Sequence, residues 1–264
     1  MQVDQELDVG TPTSSKTVDQ IGRGLNWFEQ HWLFAFNAFW GVFITLPWLA
    51  PVFQQLGWTR PANILYFIYN FFCHQLPERS WFLFGPQASY TQAEIGVVWD
   101  ISNELVRRHF IGTPEMGWKV AWSDRMVSMY TTIFLLGLLY AYLRQRGFYL
   151  KGIRWWWFII FITPMGIDGT THLINDALRL GFRDQNLWAI ALTGGIFPAE
   201  FYAGDLLWSL NSVLRLITGI FFGIGVVWFL WPMMENEFTY KPAVGYYPRI
   251  SDRPVVRETS EDSP

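Results

Sequence analysis

The chain has one cysteine, Cys73, among its 264 residues, so no disulfide can close within it. Charge is also scarce. Only 16% of residues are Asp, Glu, Lys or Arg, against about 25% in an ordinary soluble domain. The formal net charge of −3 supplies no basic field for a phosphate backbone, which excludes nucleic acid as a partner. The sequence lacks a Gly-rich phosphate loop, a nucleophile elbow and a His-Glu-x-x-His helix, so the common nucleotide-binding and hydrolase motifs are missing. No internal repeat is visible. Residues 1–23 have neither the basic n-region nor the apolar h-region of a signal peptide, so the first spanning helix is expected to direct insertion itself.

Apolar and aromatic residues are abundant: 51% of the chain is hydrophobic, 19% is aromatic, and there are 16 tryptophans. Four runs, at about 32–53, 126–143, 155–173 and 206–231, meet the length of about 20 residues that a bilayer-spanning helix needs. A further run, Ile64–Phe72, is short even when extended over 61–76, and reads either as a tilted span or as a re-entrant segment. Trp27, Trp32, Trp155, Trp208 and Trp231 fall near the ends of these runs, as interfacial aromatic belts require.

These patterns predict an all-α integral membrane bundle of four or five spans. A polar tail and interfacial helix would occupy 1–31, the transmembrane helical domain 32–233, and a disordered polar tail 234–264. Within the excursion from Pro77 to Lys119, Ile95, Val98, Trp99, Leu105, Val106 and Phe110 recur at i, i+3, i+4 spacing, which predicts an amphipathic outer-side helix. The glycine-containing insert Ala177–Asp205 predicts a folded loop. Arg144, Arg146, Lys151 and Arg154 concentrate positive charge in one short connection, which the positive-inside rule places in the cytoplasm. By alternation, a plasma-membrane orientation follows with the C-terminal tail inside and the excursion and insert outside. If 61–76 spans, the N-terminus is outside; if it re-enters, the N-terminus is inside.

The third long run carries Asp168, Thr171, His172, Asn175 and Asp176 at helical spacing. A charge inside a spanning helix costs at least about 2.5–3.5 kcal/mol and calls for a partner or a water-filled cavity. Counting inward from assumed outer boundaries near Asp176 and Leu207 puts Asp168 and Arg215 at equal depth, which predicts a direct Asp168–Arg215 ion pair. Cys73 and His74 close the short second run, and Asp124 and Arg125 open the next span. Together with Glu78 and Arg79, these residues predict a polar cluster in one outer-leaflet pocket. Pro164, with Gly166 and Gly169, points to a kink beside it.

The segments Cys73-His74-Gln75-Leu76-Pro77-Glu78-Arg79-Ser80, Ile167-Asp168-Gly169 and Arg215-Leu216-Ile217-Thr218-Gly219 resemble an uncharacterised prokaryotic family of polytopic membrane proteins with a Cys-His-Gln-x-Pro-Glu-Arg-Ser signature. The resemblance spans roughly residues 33–231. It implies a polytopic helical fold and no activity. In that family a Cys-x-x-Cys would join the Cys-His in a thiolate-rich metal site. The best match here, Ser123-Asp124-Arg125-Met126, keeps neither thiol, so a Cys₃His zinc site is not available.

Three functional readings remain. The pocket could bind a ligand or a zinc-like divalent metal, with His74, Asp168, His172 and Cys73 as ligands. His74, Asp168 and His172, with Glu78, could instead serve as acid and base in a membrane-embedded hydrolase-like enzyme. Alternatively, the chain is a structural or accessory subunit of a larger complex, packed against lipid and other membrane subunits, with its charges acting as helix-to-helix glue. A transporter would carry its polar stripe near the midplane and often an inverted repeat, and neither is seen. A solvent-connected cavity lined by His74, Asp168 and His172 would favour binding or catalysis. A closed, fully paired cluster would favour structure.

Overall fold

A computed structural model describes residues 15–239, with side-chain environments over 27–238. The tail after residue 239 and the first 14 residues lie outside the described part. Four helices are long and apolar enough to cross a membrane: α1 (Ser15–Gln55), α5 (Asp124–Gln145), α6 (Trp155–Leu178) and α10 (Leu210–Thr239). Only 11% of the most apolar stretch of α6 is buried in protein. Its outer surface is Ile, Leu and Trp, so lipid must supply the remaining contacts. The chain is a multi-pass membrane protein.

The short second run forms α2 (Thr59–Tyr69), whose 11 residues reach about 16 Å at 1.5 Å per residue, too short to cross. α1 is long because its apolar run continues through Pro47 and Pro51, with a single non-helical residue at His31. α6 likewise continues through Pro164 as one helix.

The excursion differs from the single amphipathic helix that its spacing predicts. It contains α3 (Gln92–Gly96), α4 (Glu104–Arg107) and a three-stranded antiparallel sheet of β1 (Ser80–Leu83), β2 (Gly112–Thr113) and β3 (Gly117–Ser123), in the order β1-β3-β2. Polar caps divide the helical pattern. Thr91 and Glu94 form a capping box on α3, and the Asn103 side chain accepts from the Leu105 N–H to start α4. Ile95 and Phe110 pack with Phe82 and Tyr90 in a small core, while Val98, Trp99, Leu105 and Val106 stay exposed.

The sheet positions the polar residues. β1 follows directly on a 3-10 turn at Pro77–Arg79 and pairs Ser80 with Ser123, and β3 runs straight into α5. Arg79 and Asp124 are therefore brought together by backbone pairing. The insert folds as α7 (Phe182–Gln185), α8 (Leu187–Thr193) and α9 (Ala199–Tyr202). Away from the sheet, Trp32, Leu33, Met129, Ile133, Tyr140, Val227 and Trp231 form an apolar core among α1, α5 and α10.

Helices α5 and α10 approach closely because α10 offers glycine at the seam. A Cβ at Gly219 would lie 2.1 Å from Ser128 Oγ and 2.9 Å from the Arg125 carbonyl oxygen, and one at Gly223 would lie 2.8 Å from Thr132 Cβ. Small residues spaced by four are the usual means of close helix packing in lipid. Gly219→Ala is therefore expected to cost about 1–3 kcal/mol through overpacking. Gly166→Ala, where a Cβ would meet nothing within 4 Å, should be neutral or stabilise by up to about 1 kcal/mol. Thermal unfolding of the two variants in detergent checks the contrast.

Candidate functional site

The polar residues of five separate segments form a ring of alternating charge that is closed through Asn175. Asp176 Oδ2 accepts from Arg79 Nη2 at 2.9 Å, and Arg79 Nε donates to Asp205 Oδ2 at 3.0 Å. Asp205 Oδ1 accepts from Arg215 Nη1 at 2.6 Å, and Arg215 Nε donates to both oxygens of Asp124, at 2.8 and 3.0 Å. The Arg125 backbone N–H donates to Asp124 Oδ1 at 2.8 Å, while its guanidinium reaches Asp168 Oδ2 at 2.6 Å. Arg183 donates to the other Asp168 oxygen. Its backbone N–H donates to Asn175 Oδ1 at 3.0 Å, and Asn175 Nδ2 reaches Asp176 Oδ1 at 3.3 Å, which closes the ring.

This pairing replaces the predicted Asp168–Arg215 contact. The depth argument fails at its boundaries: α10 begins at Leu210 and α6 ends at Leu178. Arg215 thus lies five residues inside its helix and Asp168 ten, a difference of about 7 Å. Arg215 instead reaches up to Asp124 and Asp205, and Asp168 is met by arginines from the start of α5 and from α7. Asp205 and Arg183, both essential to the ring, were missed in the sequence reading because they sit in the insert taken for a loop.

Electrostatics outside the spans fit this arrangement. Burial opposes the charge on Asp205, but Arg79 and Arg215 overcome it and hold the carboxyl well below the usual carboxylate range. Burial likewise works against the Arg79 guanidinium, yet Asp205 and Asp176 raise its proton affinity. Glu78 is pushed up by burial despite Arg107, whose Nη2 lies 3.1 Å away.

The Cys73–Ser80 segment is held by Lys119 on β3. This side chain is 0% exposed, and its Nζ donates to the Gln75 carbonyl at 2.7 Å and to the Arg108 carbonyl at 2.9 Å. Gln75 itself adopts a positive φ of 54°, a conformation that non-glycine residues keep only when their surroundings enforce it. Burial lowers the Lys119 ammonium to about 7.

Two cavities flank α6 at the ring. A polar cavity of about 230 Å³ is lined by Cys73, His74, Arg79, Ser123, Arg125, Met126, His172, Asp176 and Arg215 among others. Asp168 is not part of that lining. It faces an apolar groove of about 860 Å³ on the other flank. His172 and Asp168 do not converge as ligands: His172 Nε2 lies 3.9 Å from Asp168 Oδ1, and Arg183 Nη2 binds that nitrogen at 2.8 Å as well as the carboxylate. An arginine can only donate, so His172 Nε2 accepts and Nδ1 carries the proton. That Nδ1 is buried without a partner, as is Arg125 Nε. His74 is exposed, and Cys73 Sγ lies 3.4 Å from Ser123 Oγ and 3.3 Å from the Gln75 N–H. Among the described residues, no group of three or more His, Cys, Asp and Glu side chains is placed to hold a metal ion.

Removing one member of the ring strands its partners. Asp168→Asn is expected to destabilise the fold by about 3–5 kcal/mol, since it leaves both Arg125 and Arg183 without a carboxylate partner, and Asp205→Asn by less, since Arg79 keeps Asp176 and Arg215 keeps Asp124; thermal unfolding in detergent measures both. Lys119 gives a pH signature. Its folded proton affinity lies below the unfolded one, so the unfolded chain binds the extra proton and stability rises with pH above about 7. Between pH 7 and 9 the melting temperature of the wild type should climb more steeply than that of Lys119→Met.

Residues 115–229 match the family described as "Predicted membrane protein (DUF2085)". This segment contains β3, α5, α6, the insert and most of α10, and hence every ring member except Arg79. An uncharacterised protein of Methanocaldococcus jannaschii is 26% identical over 205 residues, which cover 76% of this chain and 90% of the relative. No solved structure gives a significant match. The chain is thus similar over residues 115–229 to a family of predicted membrane proteins and over 205 residues to an uncharacterised archaeal protein, in agreement with its four membrane-length helices.

Proposed function

We propose that the protein is a membrane-embedded binding protein for a small hydrogen-bond-accepting ligand, a carboxylate or similar oxyanion, held in the polar cavity between α5, α6 and the Cys73–Arg79 segment. The observation that carries this reading is the character of the unmet groups. His172 Nδ1 and Arg125 Nε are both donors, both buried and both without a partner, on residues that line one cavity. A buried donor left unpaired costs about 1–3 kcal/mol, and an acceptor in the cavity would remove that cost. Arg79 and Arg215 also line the cavity, but their charges are met by Asp124, Asp176 and Asp205, which leaves the two orphaned donors as the groups a ligand would meet. Arg144 in the last turn of α5, with Arg146, Lys151 and Arg154 between α5 and α6, supports a plasma-membrane orientation with the cavity on the outer side. With α2 too short to span, the N-terminus then lies in the cytoplasm.

The structural reading draws support from the ring, in which every carboxylate is paired. It does not account for the two orphaned donors or for the space beside them, which is why binding is favoured.

Cys73 is a reporter built into the cavity wall. The ratio of alkylation rates for anionic iodoacetate over neutral iodoacetamide should exceed that of a small free thiol several-fold. Millimolar inorganic phosphate or acetate should slow the reaction and raise the melting temperature relative to chloride at equal ionic strength. His172→Leu should lose the anion-dependent shift. A solution-like rate ratio, or an inert Cys73, combined with no anion-dependent shift in melting temperature would overturn the reading.

A further inference from the structure

The apolar groove on the other flank of α6 is independent of the polar cavity and has its own unmet group. Ile160, Thr163, Pro164, Ile167 and Thr171 follow one another at helical spacing along α6 and form one wall of the groove. They make a stripe about 16 Å long at 1.5 Å per residue. At its upper end the groove meets Arg183, which is 5% exposed and whose Nε is buried without a partner.

The charges at that end do not balance. Asp168 is a single carboxylate shared by two guanidiniums, those of Arg125 and Arg183. By contrast, Arg79 and Arg215 at the other end of the ring each have two carboxylates. Counting direct ion pairs, one guanidinium is therefore in excess where the apolar groove ends, since the neighbouring Asp184 accepts from Asn175 and makes no ion pair with Arg183. Other polar groups there are already satisfied: Thr171 Oγ1 donates to the Asp168 carbonyl and Thr218 Oγ1 to the Leu214 carbonyl. Phe182 and Trp188 line the groove beside Arg183, and Asp168 lies ten residues inside the end of α6, about 15 Å by helical rise. A bulky phosphodiester headgroup would have to be drawn that far below the interface, whereas a bare carboxylate needs only one donor pair.

The geometry points to a binding site for a free fatty acid, its carboxylate on Arg183 and its single chain running down α6 past Pro164 toward Ile160. The acid brings the missing negative charge, and the chain covers wall residues of which Ile160 and Ile167 are more than half exposed.

Photolabelling of the detergent-purified protein with a diazirine-bearing palmitic acid tests this. Crosslinks should map to α6 and to residues 182–188, and oleate should compete at least tenfold better than methyl oleate, which has the same chain but no charge. Leu214→Trp, which fills the groove from α10 without touching the ring, should abolish the labelling. Arg183→Gln, if it folds, should erase the preference for the acid. Labelling spread evenly over the four spans, equal competition by the methyl ester, or stronger competition by phosphatidylglycerol would each overturn the assignment. Cys73 alkylation is read at the opposite flank of α6, so failure here leaves the polar-cavity result distinguishable.

Discussion

The structure depends on one electrostatic constraint: charges carried on or beside membrane helices must be neutralised inside the protein, because lipid offers nothing to replace water. Asp124, Asp168, Asp176 and Asp205 are met by Arg79, Arg125, Arg183 and Arg215, and no two of these pairings join residues of the same helix. Each carboxylate thus ties together elements distant in sequence. The ring links the 3-10 turn, the insert, α5, α6 and α10. A buried ion pair gains little over an apolar pair of equal volume. Its contribution here is specificity: α6 has little buried surface of its own, and the ring sets where it stands against α5 and α10.

Backbone geometry prepares that pairing before any side chain acts. Antiparallel pairing of Ser80 with Ser123 places the last residue of the 3-10 turn beside the first residue of α5. Lys119 then fixes the turn's approach by donating to the Gln75 carbonyl. The small sheet is therefore the part of the fold on which the site hangs, although it contributes few residues to the cavity wall. Glycines at 219 and 223 let α10 come close enough to α5 for Arg215 to reach Asp124.

Much of this architecture is legible in the sequence, for identifiable reasons. Long uncharged runs have one physical solution in lipid, so the four spanning helices follow from composition alone. The polar stripe on α6 is equally visible, because Asp168, His172 and Asn175 share a helical face. The partners were harder to see. Depth counting depends on helix ends, and an error of a few residues at Leu210 and Leu178 was enough to assign Arg215 to the wrong aspartate. Arg183 and Asp205 lie in a segment with no long periodicity, where residue spacing carries no information about direction. Charge arithmetic held a clue: Asp168 and Asp176 stand on a helix with no arginine inside its apolar part, so a cation from the adjoining insert was needed. The sheet escaped notice because Ile95 and Phe110 mimic helical spacing while packing against Phe82 from across two turns.

The same packing bears on which kinds of function suit the site. Beyond the ring, moving away from the sheet, the space between α1, α5 and α10 is filled mainly by Met129, Ile133, Val227 and Trp231, with the buried Asn37 amide donating to the Gly137 carbonyl among them. A polar solute in the cavity would meet a close-packed apolar wall at that end. On the sheet side, Glu104, Asp176 and Ala177 line both the polar cavity and a larger polar cleft of about 640 Å³ that also includes Arg107, Arg179 and Asp184. The two cavities are thus neighbours that share wall residues on the sheet side. On the binding reading proposed above, a ligand would enter from the sheet side, while the ring braces the helices around the cavity.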